Sequence, residues 1–418
     1  MTRLPRALWI ALALAAAPAS AFGLARFAYA VLLPPMQADL GWSYATAALL
    51  NTVNALGYLG GAVFASRLGR RMGVHAAFGW SLLATALALG ASALSTLLPV
   101  LLVLRLVAGF SGAVTFILGA ALTAALAASQ RAGTGTAGAA AAAVGASARV
   151  PTAALLMGVY VAGGGLGIVV SGLALPWALN SFPDDVGWRV GWGLLGAVGL
   201  VAWAVAARAA RRVPAPAPRT AGSRAPVRGM VPLLVGYTLF GMGYIAYMTF
   251  IVALLRGDGA TDQQVAVFWV VLGLAAVAGG FAWAPVVERL QGGRAPALLM
   301  VVVALGAGLP LLWAGPVPAL ASAVLFGGTF LALVGSVTHA AQRVLPAAQV
   351  ADGIGLLTTV FALGQSVGPV LSGVLADSAD GVRAGIALSV AIVVLGAVAF
   401  LPQRRVLPEA ATTAGGAA

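Results

Sequence analysis

Two arginines, Arg26 and Arg105, lie inside long apolar stretches and are the side chains best suited to bind a charged ligand. The guanidinium keeps its charge in proteins, and its planar fork matches the oxygens of a carboxylate or a phosphate. Because an arginine in the middle of a bilayer costs about 3 kcal/mol or more, its side chain must face protein or a water-filled cavity. Both residues are therefore candidates for a substrate site.

The apolar stretches contain no acidic residue that would neutralise these arginines. The nearest acids stand at the predicted ends of the stretches, Asp39 and Asp377 at one end and Glu288 and Asp352 at the other. Under one interpretation, an anionic substrate supplies the missing charge. Under the alternative, the arginines bond backbone carbonyls beside glycine-rich stretches or reach Asp39 through water, and their role is structural or gating.

Aromatic and amide side chains extend the candidate site. Tyr237, Phe240, Tyr244 and Tyr247 recur at helical spacing, where they offer hydroxyls and stacking surface to a ligand or simply pack against other helices. Amides within apolar runs need hydrogen-bond partners, which are either a ligand or a neighbouring helix. The candidate substrate-binding residues are Arg26, Tyr29, Asn51, Asn54, Arg105, Tyr237, Tyr244, Tyr247 and Gln365.

Charged residues near the ends of the apolar stretches are candidates for coupling or gating. His339 is a candidate because an unperturbed histidine has a pKa near neutrality, although a histidine at the membrane interface often has no coupling role. Proton coupling would use His339, Asp39 or the substrate's own carboxylate, whereas uniport or anion exchange needs none of them. The coupling and gating candidates are Asp39, Arg67, Arg70, Arg71 and His339.

The composition places these residues in a membrane. Hydrophobic residues make up 61% of the 418 residues and charged residues 8%, whereas a soluble domain has about 25% charged residues. The absence of cysteine excludes thiol chemistry, and two distant histidines predict no metal site. With no paired acids and no nucleophile beside a base, we expect neither an enzyme nor a cofactor.

Twelve apolar runs are each long enough to cross a hydrocarbon core of about 30 Å, which predicts an all-α membrane protein. They cover residues 8–36, 44–65, 74–94, 98–126, 151–176, 189–207, 230–254, 265–287, 295–314, 318–340, 353–376 and 383–401. A cleavable signal peptide ending at Ala19-Ser20-Ala21 is the alternative for the first run. The apolar sequence continues to Met36, which favours a membrane span.

The arginines predict the orientation in the membrane. All 23 basic residues are arginine, and apart from Arg26 and Arg105 within the runs, only Arg189, Arg256 and Arg383 fall on the side opposite the termini. Positive loops stay in the cytoplasm, so both termini are predicted to be cytoplasmic in a bacterial-type inner membrane. The net charge of +13 is thereby explained by topology and predicts no nucleic-acid partner.

The chain divides into two related halves. We predict a six-span bundle over 1–207, an Arg/Pro/Ala linker over 208–229, a second bundle over 230–403 and a cytoplasmic tail over 404–418. "FGLARFAYA" from Phe22 matches "FGMGYIAYM" from Phe240, and the fifth and eleventh runs share the pattern G-x3-G-x3-S-G. Paired bundles of this kind are typical of transporters, with the substrate site at mid-membrane between the halves.

The chain resembles the major facilitator superfamily over nearly its whole length. "AVFASRLGRR" is similar to the superfamily's loop after span 2, with Ser66 in place of its aspartate, and "LLVLRLVAGFSG" is similar to the span 4 signature that contains Arg105. "GQSVGPVLSG" is similar to the antiporter glycine-proline motif. "GLARFAYAVLLPPMQADLGWSYATAALLNTVNALGYLGG" resembles the YbfB-type branch.

This resemblance implies two pseudo-symmetric six-helix bundles whose spans 1, 4, 7 and 10 line a central cavity. It implies a transporter that works by alternating access as a monomer in the lipid bilayer. Together with the unpaired arginines, it predicts that the solute is a small organic anion. The alternatives are efflux of drug-like or aromatic compounds and, more remotely, a membrane sensor or scaffold that transports nothing.

Overall fold

The computed structural model describes residues 5–142, 152–216, 225–346, 349–379 and 381–404. Its described parts contain twelve helices long and apolar enough to span a membrane, which confirms the predicted fold class. We number them α1 to α12. They are Arg6–Leu40, Tyr44–Met72, Val74–Ser92, Leu98–Gln130, Ala153–Ser181, Asp184–Ala210, Val227–Gly257, Asp262–Arg289, Arg294–Leu312, Pro316–Val344, Asp352–Ala376 and Gly381–Phe400.

The helices form two pseudo-symmetric bundles, α1 to α6 and α7 to α12. We call the side of the molecule on which α6 connects to α7 the linker face. The opposite side is the distal face. Within the predicted linker, residues 217–224 lie outside the described residues, as do 405–418 of the predicted tail and 1–4 at the beginning. The α4 helix continues to Ala142, into the segment that follows its apolar run.

Close helix contacts without side chains recur in both halves. A Cβ on Gly57 of α2 would collide with the carbonyl oxygen of Leu106 in α4, and one on Gly279 of α8 would collide with Gly328 in α10. Small residues let membrane helices approach until their backbones touch. In lipid, where the hydrophobic effect does not drive helices together, the resulting dispersion contacts stabilise the pair. The glycines of α2 and α8 therefore hold equivalent helix pairs in the two halves.

The α1 helix widens around its buried arginine. From Ala19 to Phe27 it is a π-helix, and the amide of Ala28 donates to the carbonyl of Gly23 at 2.9 Å. Pro18 directly precedes this segment and has no N–H to continue the α-helical ladder. Since π segments are rare and occur often at functional sites, the local geometry singles out Arg26 independently of its charge.

Polar contacts join the two bundles at the distal face. The Asp377 carboxylate at the end of α11 accepts from the backbone amides of Tyr44 and Ala45 at 2.7 and 3.0 Å. These amides begin α2, where free N–H groups favour an anion. Among the described residues, every side-chain hydrogen bond between the bundles lies at mid-depth or nearer the distal face. The bundles are thus tied together on the distal side.

Candidate functional site

Arg26 lies between the two bundles and is 3% exposed. Its Nε donates to Asn54 Oδ1 of α2 at 3.1 Å, and its Nη1 donates to Gln365 Oε1 of α11 at 2.7 Å. The guanidinium carbon lies 4.9 Å from the centre of the Tyr58 ring, a cation–π distance. Its Nη2 is buried without a hydrogen-bond partner among the described residues. One donor face of Arg26 is therefore free for a ligand.

Gln365 connects Arg26 to the aromatic face of α7. Its side chain is fully buried, and its Nε2 donates to the Tyr244 hydroxyl at 2.6 Å. The chain of contacts from Arg26 through Gln365 to Tyr244 crosses from one bundle to the other. Three residues predicted separately for substrate binding are thereby brought into one network.

Arg105 points into the interior of the first bundle and is 1% exposed. Its guanidinium carbon lies 5.4 Å from the Tyr29 ring centre and 5.3 Å from that of Trp192 in α6. Its Nη2 donates to Asn51 Oδ1 at 3.4 Å, whereas Nε and Nη1 have no hydrogen-bond partner in the described chain. Tyr29 is fixed in turn because its hydroxyl donates to the carbonyl of Ala47 at 2.8 Å.

The two asparagines of α2 link the arginines. Asn54 accepts from Arg26 and donates through Nδ2 to the backbone carbonyl of Arg105 at 3.2 Å. Asn51 accepts from the Arg105 side chain and donates through Nδ2 to Thr249 Oγ1 of α7 at 2.8 Å. The asparagines thus connect the two arginines, but the guanidinium groups contact different partners.

Neither arginine forms an ion pair with a described residue. The two ion pairs found among these residues, Arg256 with Asp262 and Arg383 with Asp258, lie near the distal ends of the helices. Asp39 is exposed at the end of α1, where its Oδ2 accepts from Trp188 Nε1 at 2.8 Å. Its carboxylate therefore has a direct partner other than an arginine.

The aromatic side chains of α7 form part of a stack. The Tyr237 and Phe361 rings lie 4.4 Å apart at 9°, and Tyr244 stacks on Phe240 at 4.8 Å and on Phe330 at 6.0 Å. Near-parallel rings at these distances attract one another beyond their buried area. The result is a flat aromatic wall beside the Arg26 network.

Tyr247 departs from this wall, although its spacing predicts the same face. Its hydroxyl shares a hydrogen bond of 2.5 Å with Ser322 Oγ of α10, and its ring packs on Phe326 with the centres 4.1 Å apart. Within the described chain its polar atom is thus already paired to a neighbouring helix.

The coupling and gating candidates lie apart from the network. Arg67, Arg70 and Arg71 are exposed at the linker end of α2, and the Arg67 guanidinium lies 5.7 Å from the Phe64 ring centre. His339 is half-buried near the linker end of α10, and its Nε2 has no partner among the described residues. The structure brings none of these residues to Arg26.

Several members of the site have no distinguishing signal in the sequence. Thr249, which binds Asn51, falls two positions after Tyr247 and off the spacing of the aromatic residues. Trp192 and Phe330 are ordinary aromatic residues of apolar runs until the helices are assembled. Tyr58 shares a predicted face with Asn51 and Asn54, and that spacing is the one signal that points to it.

A family profile described as "Uncharacterised MFS-type transporter YbfB" matches residues 18–401. The chain belongs to this family of major facilitator superfamily transporters. The match confirms the resemblance carried by the segment around Arg26, and it places the protein among multi-pass membrane transporters. No curated protein matches the chain.

Solved structures share the fold at low sequence identity. A mutant of the nucleoside transporter NupG has a TM-score of 0.71 at 12% identity, over 94% of this chain and 99% of that one. A bacterial homologue of the human lysosomal transporter Spinster, inward-facing and unoccupied, has a TM-score of 0.68 at 15% identity, over 98% and 100%. Its occupied inward-facing form gives 0.68 at 16% identity, over 97% and 98%. At such identities the likeness describes the fold.

Proposed function

We propose that this transporter moves a small organic anion through an inner membrane by alternating access. The observation that supports this is the charge balance at mid-membrane. Two guanidinium groups are buried there without an ion-pair partner among the described residues, and three of their nitrogen atoms have no hydrogen-bond partner. A buried charge is costly unless it is paired. An anion that binds there would form the ion pair and the hydrogen bonds that the protein itself does not supply.

Arg26 is the arginine that we assign to the ligand. Its contacts run to both bundles, to Asn54 on one side and to Gln365 on the other. In a carrier whose halves rock about a central site, only a group between the halves is reached from each side in turn. Arg105 contacts rings of its own bundle, and we assign it the role of holding α2 and α4 around the site.

Closure of the distal face accounts for one half of the cycle. To expose Arg26 on that side, the bundles must release the Asp377 cap on α2. The arginine-rich linker supports a cytoplasmic position for the linker face, so we assign this conformer to the state closed toward the outside. We also propose a monomer, because one chain supplies both halves of the cavity.

Coupling to protons would need a titrating group on the route. In the described membrane core no carboxylate contacts either arginine, which leaves His339 and the substrate's own carboxylate as candidates. We propose that the anion crosses either by exchange or with a proton that it carries itself. A pH gradient imposed on proteoliposomes containing His339→Gln separates these cases from coupling through the histidine.

Efflux of neutral aromatic compounds is the second candidate function. It is supported by the stacked wall of Tyr237, Phe240, Tyr244 and Phe361. A nucleoside, the solute named for NupG, carries such a ring without a negative charge. Binding of neutral aromatic compounds that persists in Arg26→Gln would favour this candidate over anion transport.

The test of anion transport is uptake of radiolabelled organic anions into proteoliposomes. Arg26→Gln removes the charge and keeps a polar side chain, while Arg208→Gln changes an arginine whose side chain contacts its own helix at Ala204. We expect Arg26→Gln to abolish uptake and Arg208→Gln to retain it, with both proteins eluting as folded species. Uptake by Arg26→Gln at the wild-type rate would overturn the proposal.

A further inference from the structure

The partner of Arg26 in this conformer is a neutral amide, although a guanidinium bonds more strongly to an anion. Gln365 Oε1 accepts from Nη1 at 2.7 Å, and Nη2 beside it remains unpaired. Hydrogen bonds between two charged partners are about twice as strong as neutral ones, and a carboxylate binds two guanidinium nitrogens at once. The Gln365 carbonyl therefore occupies one of the two positions that a bound carboxylate would take.

The tyrosine at the other end of Gln365 adds a donor to the same place. The Tyr244 hydroxyl now accepts from Gln365 Nε2 at 2.6 Å, so its own hydrogen is available for another acceptor. If Gln365 leaves Arg26, the phenol and the guanidinium both present donors toward the vacated position. This arrangement suits an acceptor with two oxygens and full negative charge.

Among the described residues, Arg26 alone supplies a positive charge at this position. The Arg105 guanidinium lies against Tyr29 and Trp192 and donates to Asn51, inside the first bundle. A ligand with two carboxylates would neutralise one on Arg26 and bury the other without a partner, which is unfavourable. The charge count therefore favours a monoanion over a dianion.

Aromatic rings of both bundles lie near the free donor. Tyr58 lies below the Arg26 guanidinium and contacts Phe22 at 5.9 Å between ring centres, while Tyr244 begins the stack with Phe361 at 5.6 Å and 9°. Tyr58 and Phe361 each keep 8% exposure, more than most rings of the stack, so both retain surface for a ligand. A flat ring bound against one of them would extend the stacking, whereas a saturated ring would only fill volume.

We propose that the solute is a monocarboxylate on a flat aromatic ring, and that its carboxylate displaces the Gln365 amide from Arg26. This inference rests on the proposed anion transport and names its substrate class. Gln365 is then the specificity residue: it accepts a hydrogen bond from Arg26 Nη1, and it is displaced only by a ligand that carries charge. Neutral aromatic compounds gain nothing from the exchange, because they replace one neutral acceptor with another.

Binding of benzoate to the purified full-length protein, measured by calorimetry, tests the substrate class. Benzamide keeps the ring without the charge, cyclohexanecarboxylate keeps the charge without the flat ring, and phthalate adds a second charge. We expect benzoate to bind best and benzamide to bind about tenfold more weakly, the loss of one charge-assisted bond. Benzamide binding as well as benzoate would overturn the role of charge, and equal binding of cyclohexanecarboxylate would overturn that of the ring.

Two substitutions of Gln365 test the displacement, because they are expected to act in opposite directions. Gln365→Glu places a permanent carboxylate on Arg26 and is expected to weaken benzoate binding about tenfold or more. Gln365→Met removes the competing amide at similar volume and is expected to bind benzoate at least as tightly as the wild type. The unliganded thermal midpoint of each variant reports whether it is folded. Equal affinity in both variants would overturn the displacement.

A final comparison separates this inference from the function on which it rests. If succinate or another aliphatic acid binds and loses affinity in Arg26→Gln, while benzoate does not bind, the aromatic monocarboxylate is wrong and anion transport stands. If no anion binds, and uptake of neutral aromatic compounds is unchanged in Arg26→Gln, both proposals are wrong.

Discussion

Arg26 and Arg105 are buried to the same degree, yet their surroundings differ in one respect. Arg26 is held by α2 of its own half and by α11 of the other, through Asn54 and Gln365. Arg105 is held by Asn51 and by the rings of Tyr29 and Trp192, all in its own half. When two rigid halves move against each other, the contacts of Arg26 change and those of Arg105 do not.

Buried arginines thus have two different roles in this protein: one stabilises a single half, and the other contacts both halves. Inside one half, cation–π contacts and an amide hold a guanidinium in one position, which stabilises the packing of the helices. Between the halves, the proposed alternating-access cycle requires a replaceable partner, because each of its states would present different neighbours. A neutral amide suits the second place, since it satisfies the arginine without binding it as an acid would.

Removal of Arg105 gives the largest expected effect on stability. Arg105→Met leaves Asn51 without its donor and two aromatic rings without their cation, so we expect a loss of about 3 kcal/mol in the free energy of unfolding. The thermal midpoint in detergent falls, while the KM for the transported anion stays near the wild-type value in the fraction that folds. A wild-type midpoint with a raised KM would reverse the roles of the two arginines.

Transfer of the charge across the interface sharpens the role of Arg26. Arg26→Gln is expected to lower anion affinity about a hundredfold, the loss of a bidentate charge-assisted pair. In the double variant Arg26→Gln with Gln365→Arg, the guanidinium and the amide exchange helices at a contact of 2.7 Å. We expect the double variant to recover about tenfold of that affinity, measured by calorimetry. No recovery would show that Arg26 acts from α1 alone.

Weakening the contact between Asp377 and the start of α2 tests whether the two halves move apart at the distal face. Asp377→Asn removes the negative charge that accepts from Tyr44 and Ala45, and we expect the distally open state to gain about 1.4 kcal/mol, or tenfold in population. The chain has no native cysteine, so Ala48→Cys on α2 reports the opening by its maleimide labelling rate. Labelling that stays unchanged would mean that Asp377 does not hold this face closed.

A matched pair of tyrosines gives the smallest effect. Tyr247→Phe removes a hydroxyl that bonds Ser322 within one bundle, so we expect a loss of about 1 kcal/mol of stability with unchanged uptake. Tyr244→Phe removes the hydroxyl that contacts Gln365 at the interface, so we expect weaker anion binding with little change in the thermal midpoint. The same pattern in both variants would contradict the distinction between a hydroxyl that only packs within one half and a hydroxyl that belongs to the Arg26 network.

Sequence reasoning predicts the elements better than the partners. The twelve spans follow from hydropathy, because each run must satisfy its own backbone in lipid and can do so only as a helix. The polar residues inside these runs are equally visible, since any of them in hydrocarbon needs a partner. The sequence does not predict which partner each polar residue contacts. Asp39 accepts from Trp188, and Tyr247 bonds Ser322 instead of joining the aromatic wall.

Twelve membrane spans are predictable from the sequence alone. So are the positions of two arginines inside the apolar runs and the absence of an acidic residue from those runs. Those properties are local, since hydrophobicity and charge are read along the chain. Only the tertiary structure decided that Arg26 meets Gln365, a residue 339 positions away, and that Arg105 meets the rings of its own half. The physical reason is that glycine-mediated helix packing sets which faces touch, and that packing is decided by shape complementarity among distant segments.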